Sequence, residues 1–258
     1  MAGSLVSRPL GKTGLEVAPL ALGTVKLGRD KGVKYPNAFE IPNDQQARDL
    51  LREARDLGIN LIDTAPAYGN SELRLGTLLA DQRDAWTICT KVGEEWVNDT
   101  SHYNFTAEHC RMSVERSLTR LQTDRLDIVL VHSDGTDLKI LNEHGTLEVL
   151  QELKQAGKIL QVGISHKTVS GAQRAIALGA DVIMATLNQD HRDEIDLIAE
   201  ASQQGVGVLI KKALRSGHGS ARDLSWVAGH AGVHSIVVGT TNPKHLAQNV
   251  EVLTRLDD

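Results

Sequence analysis

The sequence predicts an α/β fold, a (β/α)8 barrel of the TIM type with an N-terminal β-hairpin, and three observations carry that prediction. Short apolar segments of strand length alternate with amphipathic helical segments eight times along 258 residues. Strands that alternate with helices pair in parallel through right-handed crossovers, and eight such units can close on themselves. Links from helix to strand are short, as at Gly58 before Ile59 and Gly157-Lys158 before Ile159, whereas links from strand to helix are long, over 25–43, 92–105 and 133–145. An open doubly wound sheet would carry a glycine-rich turn after its first strand. Here Gly23-Thr24-Val25-Lys26-Leu27-Gly28 opens a long irregular loop instead. The length suits one domain over 1–258.

The elements follow in order. Residues 6–17, centred on Gly11-Lys12-Thr13-Gly14, read as a hairpin that plugs one end of the barrel. The first strand covers 18–24, and Asn43 caps a helix from Asp44 whose Ala47, Leu50, Leu51, Ala54 and Leu57 share a face before Gly58 ends it. A strand over 59–62 precedes a helix over 71–79. The third strand, 86–90, leads to a helix after Thr106 with Cys110, Val114, Leu118 and Leu121 on one side. Strands over 127–131, 160–164 and 182–187 are followed by helices over 147–156, between Thr168 and Gly179, and through Ile195, Ile198 and Ala201. The seventh unit pairs a strand over 206–210 with a helix over 223–228. The eighth pairs a strand over 235–238 with a helix opening at Pro243.

Composition narrows the function classes. Hydrophobic residues at 41% and charged residues at 24% supply a core, while a formal net charge of -5 gives no basic field for nucleic acid or an anionic membrane. An anionic cofactor therefore needs a local basic site. Cys89 and Cys110 lack metal-type spacing and read as buried thiols of a reducing compartment. The first nine residues hold no signal-peptide core and no later run is long enough to span a bilayer, so a cytoplasmic location is expected. His230 and His234 are four apart, but Gly229 and Gly232 interrupt any continuous helix there, and no metal site is expected. The pattern specifies no oligomeric state.

Function in such barrels sits at the carboxyl ends of the strands. Asp63 closes the second strand, Tyr68 follows in Asp63-Thr64-Ala65-Pro66-Ala67-Tyr68-Gly69, Lys91 ends the third strand and His132 the fourth. Tyrosine, with an ordinary pKa of about 10, holds a proton at neutral pH. A lysine ammonium beside it stabilises the phenolate and lowers that pKa, and an aspartate keeps the lysine charged. His132 would orient a substrate oxygen against Tyr68. Such a set polarises a carbonyl and protonates the developing alkoxide as hydride arrives. One Asp, Lys or His at a strand end is commonly just ion-paired, and spacing alone also suits lyase or isomerase chemistry. A Schiff base on Lys91, as in a barrel aldolase, is one such alternative.

The chain resembles the aldo-keto reductase superfamily over nearly its whole length. The resemblance lies in Gly11-Lys12-Thr13-Gly14-Leu15-Glu16-Val17, Asn60 through Gly69, Cys89-Thr90-Lys91, Val129-Leu130-Val131-His132, Val162-Gly163-Ile164-Ser165 and Leu187-Asn188-Gln189. It implies Asp63, Tyr68, Lys91 and His132 as the catalytic tetrad. It also implies a nicotinamide cofactor held without a Rossmann fold, NADP(H) in preference to NAD(H). Some members of the superfamily serve instead as nucleotide-sensing subunits bound to a partner.

The cofactor residues that the resemblance implies are Gly23, Thr24 and Asp63, the amide-site residues Ser165, His166 and Gln189, and Lys211 and Lys212 toward the pyrophosphate. Gly239, Thr240, Asn242, Lys244, His245 and Asn249 would surround the adenosine phosphates. Asn242 is a good N-cap and Pro243 a good first helical residue, so free N–H groups face a loop where barrels commonly bind phosphate. An ordinary capped helix explains those two equally well, but not Lys244 and His245 in a first turn where cations oppose the helix dipole. Relatives often carry a basic residue at Gly239, an arginine at His245, an asparagine at His166 and a nicotinamide-stacking aromatic at Lys211. Substrate candidates are Val25, Tyr35, Trp96 and Ser133. Few aromatics, 3% of residues, and no long tail after the last helix suggest an open, polar pocket. Small aldehydes, ketones or sugar carbonyls are the expected substrates.

Overall fold

In the computed structural model, which describes residues 4–255, strands and helices alternate in the predicted order. Met1, Ala2 and Gly3, part of the segment read for a signal peptide, lie outside the described residues. The first part of the chain forms β1 (Arg8–Pro9), β2 (Glu16–Val17), β3 (Leu20–Gly23), α1 (Val25–Gly28), α2 (Asp44–Asp56), β4 (Leu61–Asp63) and α3 (Ser71–Leu78). Then come β5 (Thr87–Val92), β6 (Glu94–Val97), β7 (Thr100–Tyr103), α4 (Ala107–Leu121), β8 (Leu126–His132), α5 (Asp137–Asn142) and α6 (Thr146–Gln155). The remainder is β9 (Ile159–Ser165), α7 (Val169–Ala177), β10 (Val182–Thr186), α8 (Ile195–Gln203), β11 (Gly207–Lys211), α9 (Ala221–Ala228), β12 (Ser235–Val238) and α10 (Pro243–Thr254). Strands β3, β4, β5, β8, β9, β10, β11 and β12 close a parallel barrel, with β12 paired back onto β3 through Ile236 opposite Leu20 and Val238 opposite Leu22.

Side chains alternate across each strand, so the barrel has two separate apolar regions. Outward residues such as Leu20, Leu22, Ile62 and Val129 meet the helices, including the Ala47, Leu50, Leu51 and Ala54 face of α2. That helix starts in a capping box between Asn43 and Gln46. Inward residues Ala21, Leu61, Cys89, Ile128, Leu130, Val182, Met184 and Leu209 fill the barrel interior together with Leu10 and Val17 of the hairpin. The antiparallel β1–β2 hairpin thus plugs the amino-terminal end of the strands. Leu10 is wholly buried there.

Three long loops are more ordered than the sequence suggests. The loop after β3 begins with α1, the one after β8 contains α5, and the one after β5 folds into the antiparallel pair β6–β7. Asn98 and Asp99 take positive φ values of 50° and 59° between those two strands, the backbone of a tight hairpin turn. Both cysteines are buried and free.

Candidate active site

Period-two alternation carries the apolar interior upward into a polar layer. Two residues beyond Leu61 stands Asp63, two beyond Cys89 stands Lys91, two beyond Leu130 stands His132, and two beyond Leu209 stands Lys211. Ser165 joins the layer opposite His132 in the β8–β9 register. All five line one cavity of about 260 Å³ at the carboxyl ends of the strands, with Gly23, Thr24, Val25, Tyr35, Tyr68, Lys212 and Gly239 around them.

Tyr68 reaches this layer from a one-turn 3-10 helix, Pro66–Tyr68, directly after β4. The turn is clamped by a close backbone approach. A Cβ on Gly69, where φ is 64°, would stand 2.1 Å from the Gly28 carbonyl oxygen, and one on Gly28 would stand 2.3 Å from that of Tyr68. Only glycines fit both places. Arg29 adds a second hold, donating to the Ala67 carbonyl at 3.0 Å. Thr24 donates from its amide and its hydroxyl to the Asp63 carbonyl, both at 2.9 Å.

The polar core of the site is a three-residue hydrogen-bonded set. Lys91 Nζ donates to Asp63 Oδ1 at 2.5 Å, to the Thr64 carbonyl at 2.9 Å and to Tyr68 Oη at 3.2 Å. Tyr68 Oη in turn donates to Asp63 Oδ2 at 3.2 Å. Burial works against the lysine charge, but Asp63 and Tyr68 outweigh it and hold Lys91 above its ordinary range. Its ammonium is therefore permanent at neutral pH. The expectation that Lys91 lowers the tyrosine pKa needs correction: the pull is present, yet burial and Asp63 exceed it, and the phenol stands above its usual value. Tyr68 holds its proton firmly.

His132 faces Tyr68 edge-on, with ring centroids 6.4 Å apart. Its Nδ1 lies 3.0 Å from Oε2 of Glu94, a residue the sequence reading missed. Burial lowers the imidazole pKa, Glu94 raises it, and Lys91 and Lys211 lower it again, leaving it below the ordinary value. Burial also opposes charge on Glu94, but His132, Ser101 and Arg29 bring its carboxyl down to about 2. The hairpin turn at Asn98-Asp99 folds the loop back and brings Glu94 against His132.

A second cavity of about 600 Å³ adjoins the first, sharing Tyr35, Leu214, Gly217, Val238 and Gly239 as walls. Thr240, His245 and Asn249 line it, and Lys26 and Arg255 add positive charge. A Cβ on Gly239 would stand 2.8 Å from Tyr35 Oη at the junction, so glycine keeps that junction clear. The two adjoining chambers together have the elongated form that a dinucleotide requires. That donor set fits a nicotinamide cofactor.

Six expected contacts do not line either cavity. His166 follows the inward Ser165, so strand alternation turns its ring away; it is wholly buried, with Nε2 2.6 Å from Glu194 Oε2. Ser133, just after the inward His132, is likewise buried and accepts the Gly135 amide at 2.9 Å. Gln189 is exposed, while its neighbour Asn188 donates to the Lys212 carbonyl at 3.1 Å. Asn242 caps α10 by accepting the Lys244 amide at 3.0 Å, and the Lys244 side chain is exposed. Trp96 packs on Arg29, whose guanidinium carbon lies 3.2 Å from the ring centroid. It braces the Tyr68 turn from behind.

Comparison with known proteins follows the same lines. The sequence model of the aldo/keto reductase family matches residues 19–224. A crystal structure of a Pseudomonas aeruginosa chain ascribed to the aldo-keto reductases is 49% identical, covers 99% of this chain and 98% of its own, and superposes with a TM-score of 0.92. Among curated relatives, L-galactose dehydrogenase of Arabidopsis thaliana is 33% identical over 81% of this chain and 66% of its own length. The NADH-specific methylglyoxal reductase of Escherichia coli is 32% identical over 81% and 67%. The chain spans about half to two thirds of the length of the curated relatives it matches.

Proposed function

The chain belongs to the aldo/keto reductase family, and from that premise we propose that it reduces small aldehydes, ketones or sugar carbonyls reversibly to alcohols with a nicotinamide cofactor. The observation that carries this reading is the Asp63–Lys91–Tyr68 hydrogen-bonded set opening onto a cavity shared with His132. A bound reduced nicotinamide supplies hydride. The residues of this chain do the rest.

A carbonyl oxygen placed between Tyr68 Oη and His132 Nε2 meets one firm proton donor and one neutral imidazole. As negative charge develops on that oxygen, Tyr68 delivers its proton, and the phenolate left behind faces the Lys91 ammonium at 3.2 Å. Charge that develops only during reaction is where preorganised donors act most strongly. Asp63 keeps Lys91 fixed and charged throughout. Glu94 stands beside the imidazole and bears on its charge.

A Schiff base on Lys91 is not favoured. Its nitrogen is protonated and spends its hydrogens on Asp63, Thr64 and Tyr68. For the cofactor we propose tighter binding of NADPH than NADH, because Lys26, His245 and Arg255 surround the adenosine chamber. Glu251 lines it too and pairs with Arg255, which limits the preference. Oxidation of reduced cofactor against a panel of small aldehydes, ketones and sugars, with Tyr68→Phe as control, tests the proposal. Absence of carbonyl-dependent oxidation across the panel would overturn it.

A further inference from the structure

The cavity that holds Tyr68 and Lys91 contains a second lysine with quite different surroundings. Lys211 ends β11, lies half-buried in the cavity wall, and donates from Nζ to Ser165 Oγ at 2.9 Å and to the His166 carbonyl at 2.6 Å. Lys91 has a carboxylate in direct contact; Lys211, among the described residues, forms no ion pair. The nearest acidic influence, Glu194, is already engaged by His166. Two neutral oxygens thus anchor a cation that, among the described residues, has no carboxylate in direct contact.

We infer that Lys211 sets the redox-state preference of the cofactor site, its ammonium disfavouring the positively charged oxidised nicotinamide relative to the neutral reduced ring. The inference rests on the nicotinamide reading above. Tyr68 protonates the oxygen of the same carbonyl that accepts hydride, so the hydride-donating ring must enter the cavity of about 260 Å³ that Lys211 lines. Anchored at two points, the ammonium cannot swing clear of that ring. At an effective dielectric of about 20, two unit charges some 6 Å apart repel strongly enough for about a hundredfold difference in affinity.

The same geometry makes the preference depend on pH. Burial brings the lysine down to about 7, against a favourable influence of Glu194 and with help from Lys212 and Lys91; Asp137 acts in the upward direction. His132 stands on the opposite wall and its own pKa lies below the ordinary value, so it does not compete as a cation near neutrality. Binding of the oxidised ring then expels the Lys211 proton. Affinity for the oxidised form rises with pH until the lysine is neutral in the free protein, and levels off above that point. Affinity for the uncharged reduced ring stays nearly flat.

Calorimetric or tryptophan-fluorescence titration with the oxidised and reduced forms of one cofactor, at several pH values from about 6 to 8.5, tests this. The informative quantity is the ratio of the two dissociation constants, because contacts to the adenosine end are common to both forms and cancel. The preference for the reduced form should fall by about tenfold across this range. Lys211→Met should bind the two forms with a small, pH-independent ratio, and Lys211→Arg, always charged, with a large, pH-independent one. A pH-invariant ratio in the unaltered protein, or equal ratios in the Met and Arg variants, overturns the inference while leaving the nicotinamide reading intact. Failure of either form to bind at any pH overturns both.

Discussion

Glu94 Oε2 stands 3.0 Å from Nδ1 of His132, and the carboxylate belongs to a hairpin strand while the imidazole ends a barrel strand. A loop element therefore sets the charge environment of a residue of the rigid scaffold. Replacing Glu94 by Gln keeps the shape but removes the charge, so the imidazole pKa should fall further and kcat/KM drop by about tenfold. The stability consequence has a definite sign. The folded pKa of about 2 lies below the unfolded value of about 4.3, so Glu94 stabilises the fold above the unfolded pKa and loses that contribution as pH falls through the folded one. Urea midpoints of the two proteins should differ at pH 7 and converge near pH 2; a gap that stays constant across that range contradicts the assignment.

Tyr68→Phe should lower turnover by about 10²–10⁴-fold, the usual worth of a positioned general acid, with cofactor affinity nearly unchanged. Single-turnover kinetics alongside cofactor titration separate the two quantities. Near-normal turnover would remove Tyr68 from the mechanism.

Lys91 and Asp63 are a buried pair, 1% and 3% exposed. Removing one partner leaves an uncompensated buried group, so Lys91→Met should cost about 3–5 kcal/mol in urea unfolding. The double variant Asp63→Asn, Lys91→Met should recover part of that loss without recovering activity. Additive stability losses would show that the two residues do not act as a pair.

Leu10→Ala opens a cavity at the far end of the barrel, where the hairpin packs against inward residues of the strands. The expected cost is about 2–5 kcal/mol of stability with KM unchanged. A raised KM at full stability would mean the plug communicates with the site.

His245 lines the adenosine chamber and Lys244 does not. His245→Ala should therefore narrow the affinity gap between NADPH and NADH more than Lys244→Ala does, in fluorescence titrations at low salt. The reverse order would move recognition of the 2′-phosphate onto the outer face of α10.

Much of the fold is legible because its signals are local. The N-cap expected at Asn43 holds in the structure, the helices expected after Thr106 and Thr168 start there with those threonines as caps, and each strand announces itself as a short apolar run. The upper layer of the barrel is legible by the same alternation that sorts the core: a polar residue two places past an inward apolar one, as with Leu209 and Lys211. What strand alternation also dictates, the outward turn of His166 and Ser133, is lost when residues are assigned by likeness of position alone. Glu94 and the Trp96–Arg29 stack come from contacts between separate loops, and no periodicity within either segment encodes them.

The seam between β12 and β3 has a consequence for how the molecule is made. Arg8 Nε donates to the His234 carbonyl at 2.8 Å across a separation of 226 residues, and Ile236 pairs with Leu20 beside it. During synthesis the first strand emerges long before the strand that completes its hydrogen-bond ladder, and until then its edge stays open to any other extended chain. Closing so long a loop makes this a slow folder by topology rather than by weak local structure. The nascent polypeptide is therefore most exposed to misassociation in the interval before its eighth barrel strand arrives, and chaperone dependence should track that interval rather than final stability.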